Sequence, residues 1–281
     1  MNKKRKITNT FKYIFLSILS FISIFPFFWM IVAATNRSID VTKGTLIPGT
    51  YFLVNLKNLI SSDLDYMGAF KNSLIIAVAT TFLAMLVSSA AGYAFEVYKT
   101  KTREKIFNFI LLSMMVPFAA LMVPLFRVFS KFNKLGFLKI VGINSPGAVI
   151  IVAVATAFLI FFFRQNTKTF PKELIEAARI DGLGEFRIFL NIYIPTMRST
   201  YAAALVVTFM ASWNNYLWPL IALQSPEKRT LPLVISALGS SYTPDYGMIM
   251  TSVVIATLPT AFIFFLMQKQ FVAGMTGSVK G

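Results

Sequence analysis

An all-α integral membrane protein with six transmembrane helices, and a helical loop on the inner side between spans four and five, is the fold this sequence predicts. Three observations carry it. The 281 residues are 56% hydrophobic and only 14% charged, whereas soluble domains average about a quarter charged. The apolar residues come in long blocks rather than at helical spacing, which is the pattern of bilayer spans. The 27 Lys and Arg lie between those blocks.

Six blocks are long enough to cross roughly 30 Å of hydrocarbon, which takes about 20 residues each. They cover 13–34, 73–95, 106–126, 147–163, 201–223 and 248–267. The first follows Lys3-Lys4-Arg5-Lys6 and ends in Val32-Ala33-Ala34, so it resembles a secretory leader. Its apolar stretch exceeds the roughly 7–15 residues of a leader core, and it reads as a retained span. The fourth block is the shortest, with room to extend upstream. No segment between blocks is long enough to fold alone, so 1–281 reads as one transmembrane domain.

With the N-terminus inside, the inner segments hold 17 Lys and Arg and the outer segments 10, accounting for all 27. Excess positive charge marks the cytoplasmic side, which places both termini there. The cluster Arg127, Lys131, Lys134 and Lys139 runs against that trend. The net charge of +16 is thus explained by topology, and nucleic acid is not an expected partner; membrane lipid is.

What the chain lacks narrows its chemistry. It has no Cys and no His, which excludes disulfides, Cys- or His-ligated zinc and catalysis by either residue. The six blocks contain no Asp or Glu, whereas ion-coupled carriers commonly keep an acid in the bundle. Gly-Lys occurs nowhere in the chain, so a phosphate-binding loop ending in Gly-Lys-Ser/Thr is absent. Uphill transport by such a chain needs a motor on another subunit.

The inner loop 164–200 is the place to receive one. Pro171 suits a first helical turn, and Gly182 suits the residue just past a helix end. Leu174, Ala177, Ala178 and Asp181 share one face at three- and four-residue spacing, and the two alanines allow close approach. A second short helix is expected over 184–191. On its residues alone the loop reads either as a docking element or as an amphipathic helix resting on the membrane surface.

The segment Glu176-Ala177-Ala178-x3-Gly182-x9-Ile192-x-Ile194-Pro195 resembles the EAA loop of ATP-binding-cassette importer permeases, with Ile194 where leucine is usual. The likeness covers nearly the whole chain and is closest to the carbohydrate-uptake (MalG-like) permeases. It includes Asn72-Ser73-Leu74, Met115-Val116-Pro117, Val123-Pro124-Leu125, Trp213-Asn214-Asn215-Tyr216-Leu217, Thr230-Leu231-Pro232 and the tail 271–281. Gly92 and Glu96 depart from it, at positions where small residues are commoner.

The resemblance implies a permease subunit of a bacterial inner-membrane importer for a sugar or oligosaccharide. A second permease would complete a heterodimer, with two ATPase subunits and an extracytoplasmic solute-binding protein. ATP and magnesium would be bound by the ATPases, and no cofactor by this chain. Glu176, Ala177, Ala178, Asp181 and Gly182 would form the ATPase-coupling helix. A secondary carrier, or a permease for a non-sugar solute such as a glycerol phosphate, is the alternative.

Candidate substrate-lining residues are Trp213, Asn214, Asn215 and Tyr216 in span five. Amide groups can donate to and accept from hydroxyls, and aromatic faces suit sugar rings. Hydrogen bonding between helices and an interfacial aromatic belt are the favoured reading for most of these residues, with direct sugar contact by at least one of them the alternative. Pro26, Pro117, Pro124 and Pro259 are expected to kink their spans.

Overall fold

The computed structural model describes the backbone of residues 2–276, and the side chains of residues 9–269 other than Phe137. The tail 271–281, Lys280 included, lies outside the described side chains. All regular structure among the described residues is helical.

The order is α1 (Asn2–Ala34), α2 (Ser38–Thr42), α3 (Phe52–Ile60), α4 (Tyr66–Val97), α5 (Lys101–Ser113), α6 (Phe118–Phe132), α7 (Pro146–Val154) and α8 (Ala157–Thr167). There follow α9 (Glu173–Ile180), α10 (Glu185–Ile188), α11 (Ile194–Thr196), α12 (Arg198–Trp213), α13 (Leu217–Ala222), α14 (Leu231–Gly239) and α15 (Tyr246–Thr276). Backbone packing gathers these into two units. One comprises the chain up to Tyr66 with Val234–Leu258, the other Met67–Leu233 with the chain from Pro259 on.

In the first unit the end of α1 is tied down by polar side chains. Asn55 donates to the carbonyls of Ala34 at 3.0 Å and Asn36 at 2.9 Å. Asn36 in turn donates to Val32 and Ile47, each at 3.0 Å. Thr251 adds a bond to Ala34 at 3.2 Å. A helix end buried in apolar surroundings needs such partners for its free carbonyls. Along the most apolar stretch of α1, no residue is buried.

Among the described residues of the second unit, three apolar clusters stand out. Trp218, Phe129, Ile143, Ala148 and Val149 form one, with the Trp218 indole donating to the Ala148 carbonyl at 2.9 Å. A second lies under α9 and is described below. The third joins Ala84, Leu159, Phe163 and Ala204. Small residues set the spacing between α4 and α8: a Cβ on Gly92 would stand 2.7 Å from the Phe163 Cβ and 2.8 Å from the Arg164 nitrogen.

Among the described residues, four helical stretches are long and apolar enough to cross a membrane: Asn9–Ala34, Tyr66–Val97, Pro146–Thr167 and Tyr246–Lys269. The block at 106–126 is not one kinked helix. It breaks between α5 and α6 with a 103° bend, at Pro117, whose φ of −64° and ψ of 133° are extended. Pro117 brings no N–H to the ladder and bars helical geometry from the residue before it. Pro26, Pro124 and Pro259 stay inside their helices. The fourth block grows downstream to Thr167 rather than upstream. It pauses at Ala155, and Thr156 recaps the chain by accepting from Leu159 N–H. The block at 201–223 is also divided, into α12 and the short α13.

Candidate functional site

The loop after α8 holds α9 in the position expected from Pro171 and Gly182. Glu173 and Glu176 lie in its first turn and Arg179 in its last, the order that complements the helix dipole. Gly182 has φ of +78°, the left-handed conformation that only glycine adopts without strain. The reversal is closed by Gly182 N–H to the Arg179 carbonyl and Leu183 N–H to the Ala178 carbonyl, both 3.0 Å. That pairing satisfies carbonyls left free at the helix end.

One face of α9 is anchored. Ile175 and Ala178 are buried in a cluster with Tyr93, Phe170, Ile188, Phe189 and Tyr193. Tyr193 stacks edge-on against Tyr93 at 4.7 Å and lies 5.4 Å from Phe170. Its hydroxyl sits 2.6 Å from that of Thr167 on α8. The expected second helix is α10, and it runs on as a π turn over Phe189–Tyr193. Pro195 has no N–H to return, and a π turn is one way to bring the ladder up to such a residue.

The other face of α9 is open. Glu176, Ala177, Asp181 and Gly182 are exposed, and Ala178 is buried beneath them. Leu174, Ala177, Ala178 and Asp181 do come together. With Leu183, Asn191 and Ile192 they line a concavity of about 400 Å³. Glu176 lies apart from it. Two exposed apolar residues flank the feature and were not singled out from sequence: Ile180, 87% exposed, and Phe186, 73% exposed. Their signal is an apolar residue in an otherwise polar helix turn.

The α9–α10 corner is pinned by charge. Arg179 donates to Glu185 at 2.7 Å, and the Tyr98 hydroxyl donates to the same carboxylate. The bond from Arg179, then that from Tyr98, holds the Glu185 carboxyl below the usual carboxylate range. Burial, then the bond to Glu185, pushes the Tyr98 phenol up.

Trp213, Asn214, Asn215 and Tyr216 all fall at the break between α12 and α13. They do not share one environment. Trp213 is 2% exposed, stacked on Phe209 at 5.8 Å and edge-on to Phe70 at 5.5 Å. Asn214 is exposed, and its amide donates to the Met210 carbonyl at 3.0 Å, capping the end of α12. Asn215 and Tyr216 are half-buried. A separate concavity of about 410 Å³ between α4 and α12 is lined mainly by Val78, Phe82, Met85, Leu205 and Phe209. Thr81, Ser89 and Tyr201 also line it, but its surface is almost wholly apolar, unlike a site for a polyhydroxyl ligand.

Residues 84–277 match the family described as binding-protein-dependent transport system inner membrane component. The lactose transport system permease protein LacG of Rhizobium radiobacter is 47% identical over 277 residues, 99% of this chain and 98% of that protein. The arabinooligosaccharides transport system permease protein AraQ of Bacillus subtilis (strain 168) is 36% identical over 273 residues, 95% and 94% of the two chains. Among solved structures, a chain of a bacterial ABC transporter involved in the import of the acidic polysaccharide alginate superposes with a TM-score of 0.82. It is 18% identical, covering 96% of this chain and 99% of that one. At that identity the likeness is one of fold.

Proposed function

Since this chain belongs to the family of binding-protein-dependent transport system inner membrane components, we propose that it forms half of the pathway of an ATP-driven importer for a sugar or oligosaccharide. It is a transport permease subunit of the ATP-binding-cassette importers, a multi-pass protein of the inner membrane, and not an enzyme. The observation that carries the solute class is the 47% identity, along 99% of the chain, to a permease named for lactose.

In this reading the chain crosses the membrane six times, with α5 and α6 forming one crossing and α12 and α13 another. Both termini and α9 face the cytoplasm, following the excess of Lys and Arg there. The exposed side of α9 then meets an ATPase subunit. Ala177 and Ala178 admit a close neighbour, Glu176 and Asp181 offer carboxylates to basic groups, and Gly182 supports the turn that ends the helix. A second permease, two ATPases carrying ATP and magnesium, and an outer solute-binding protein complete the assembly. Closure of the ATPases would bias a two-state bundle between inward and outward access. Asn214, Asn215 and Tyr216, at a helix break within a span, are the side chains best disposed to meet the solute.

The test is purification of the chain from native membranes in mild detergent, with its companions identified by mass spectrometry, followed by reconstitution with lactose or arabinooligosaccharides. The expected result is a second permease, an ATPase and a solute-binding protein, and uptake that needs ATP. A chain that purifies alone and transports without ATP would overturn the reading in favour of a secondary carrier.

A further inference from the structure

Where α4, α5 and α8 converge, two buried charged side chains and a third, partly exposed one form a cluster that neither the fold nor the docking face accounts for. Arg164, in the last turn of α8, is 4% exposed. Its Nε donates to Glu96, at the end of α4, at 3.2 Å. Glu96 is itself 7% exposed. The Nη2 of Arg164 donates to Glu104 in the first turn of α5. The Phe107 ring lies beneath the guanidinium at 4.0 Å.

Burying such ions costs desolvation energy, and apolar side chains of equal volume commonly give equal or greater stability. Stability is therefore a weak reason for the cluster. Its geometry suggests another. The guanidinium is a rigid fork able to hold two carboxylates in fixed directions, and here it binds one from each of two helices. Gly92, four residues before Glu96 and on the same face, lets the α4 and α8 backbones touch beside it. The two arms differ. Glu96 is enclosed, while the Glu104 side chain is 33% exposed and lies 3.9 Å from Lys99.

One turn along α8, Thr167 bonds to Tyr193, which packs against the buried face of α9. The end of α8 thus bonds both to the α9 cluster, which also holds Tyr93 of α4, and, through Arg164, to the α4–α5 corner. We propose that Arg164 is a positioning residue for energy coupling: its grip on Glu96 and Glu104 ties α8 to the α4–α5 corner, so that displacement of α9 is passed into those helices instead of being absorbed by local movement. The proposal rests on α9 being the docking helix.

The experiment compares Glu96→Gln, Glu104→Gln, the double Gln variant and Arg164→Lys in the complete importer, reconstituted in vesicles. Solute delivered per ATP hydrolysed is read beside the yield of assembled complex. The expected result is assembly with continued hydrolysis in the Gln variants, and a fall in solute per ATP of about tenfold in the double variant, within the usual span of coupling between sites. Arg164→Lys, which keeps the charge but not the fork, should fall between it and the unaltered protein. An unchanged ratio in variants that assemble would overturn the proposal. So would loss of assembly in every variant, Arg164→Lys included, which would assign the cluster to folding. Failure of the unaltered chain to bring down an ATPase would instead count against the docking role of α9.

Discussion

The hydroxyls of Thr167 and Tyr193 meet at 2.6 Å in a site where Thr167 is 2% exposed and Tyr193 0%. Thr167 also donates to the Phe163 carbonyl at 2.7 Å. Its one proton is thereby committed, so Tyr193 is the donor in the pair. An asymmetry follows. Tyr193→Phe removes a single bond and leaves Thr167 satisfied, at a cost of about 1 kcal/mol. Thr167→Val strands a buried phenol, which costs about 1–3 kcal/mol. Thermal unfolding of the detergent-solubilised protein should rank Thr167→Val as the less stable. The opposite order would mean that the tyrosine is the acceptor.

At Gly182 the backbone, not the side-chain space, is constraining. The φ is +78° and nothing lies within 4 Å of where a Cβ would sit. Left-handed geometry costs a residue with a Cβ about 1–2 kcal/mol, least for Asn and Asp. Binding of the ATPase should therefore weaken in the order Asn, Ala, Val at this position. A series governed by bulk at the interface would put Ala first. Pull-down of the ATPase with each variant distinguishes the two.

The α9 turn was legible because proline and glycine punctuate it within twelve residues, Pro171 to Gly182. The apolar blocks were legible because hydropathy needs only length. Neither signal reports where a backbone breaks. The 103° bend at Pro117 was expected as an ordinary kink, like those at Pro26 and Pro259. The gap at Asn214–Tyr216 does coincide with the polar stretch Ser212–Tyr216 of its block, but two amides in a span read as binding groups as readily as a break. The Arg164–Glu96 pair joins residues 68 positions apart. In the sequence Arg164 reads as a loop charge and Glu96 as a departure at the end of a span. Of the four residues at the α12 break, composition could not separate a buried Trp213 from an exposed Asn214.

Glu185 supplies a pH dependence whose direction can be stated. Its carboxyl is held below the usual carboxylate range, first by Arg179 and then by Tyr98. A depressed folded value means that the contact stabilises the corner fully above the unfolded value of roughly pH 4.3. That contribution is lost as pH falls through the folded value. Hydrogen exchange over 182–188, corrected for intrinsic rates, should show more protection in the unaltered protein than in Glu185→Gln at pH 7. The difference should vanish near the acid limit. A difference that persists undiminished down to the most acid pH at which the protein stays folded would show that ionisation of Glu185 is not what holds the corner.

Trp213 and Asn214 are neighbours in sequence with opposite surroundings, so their substitutions should separate stability from transport. Trp213 fills a space between Phe209 and Phe70, and truncating a buried tryptophan to alanine costs about 3–5 kcal/mol. Trp213→Ala should lower the melting temperature and the amount of assembled protein, with little change in apparent affinity in what remains. Asn214 is exposed and its amide bonds to Met210 of its own helix, so Asn214→Ala should leave melting nearly unchanged. If Asn214 meets the solute, the half-saturating sugar concentration for uptake should rise several-fold. Asn214→Asp keeps an acceptor but loses the amide donor, and should show which of the two the solute uses. Unchanged uptake kinetics in both Asn214 variants, with protein levels intact, would remove Asn214 from the pathway and leave Asn215 and Tyr216 as the groups to test.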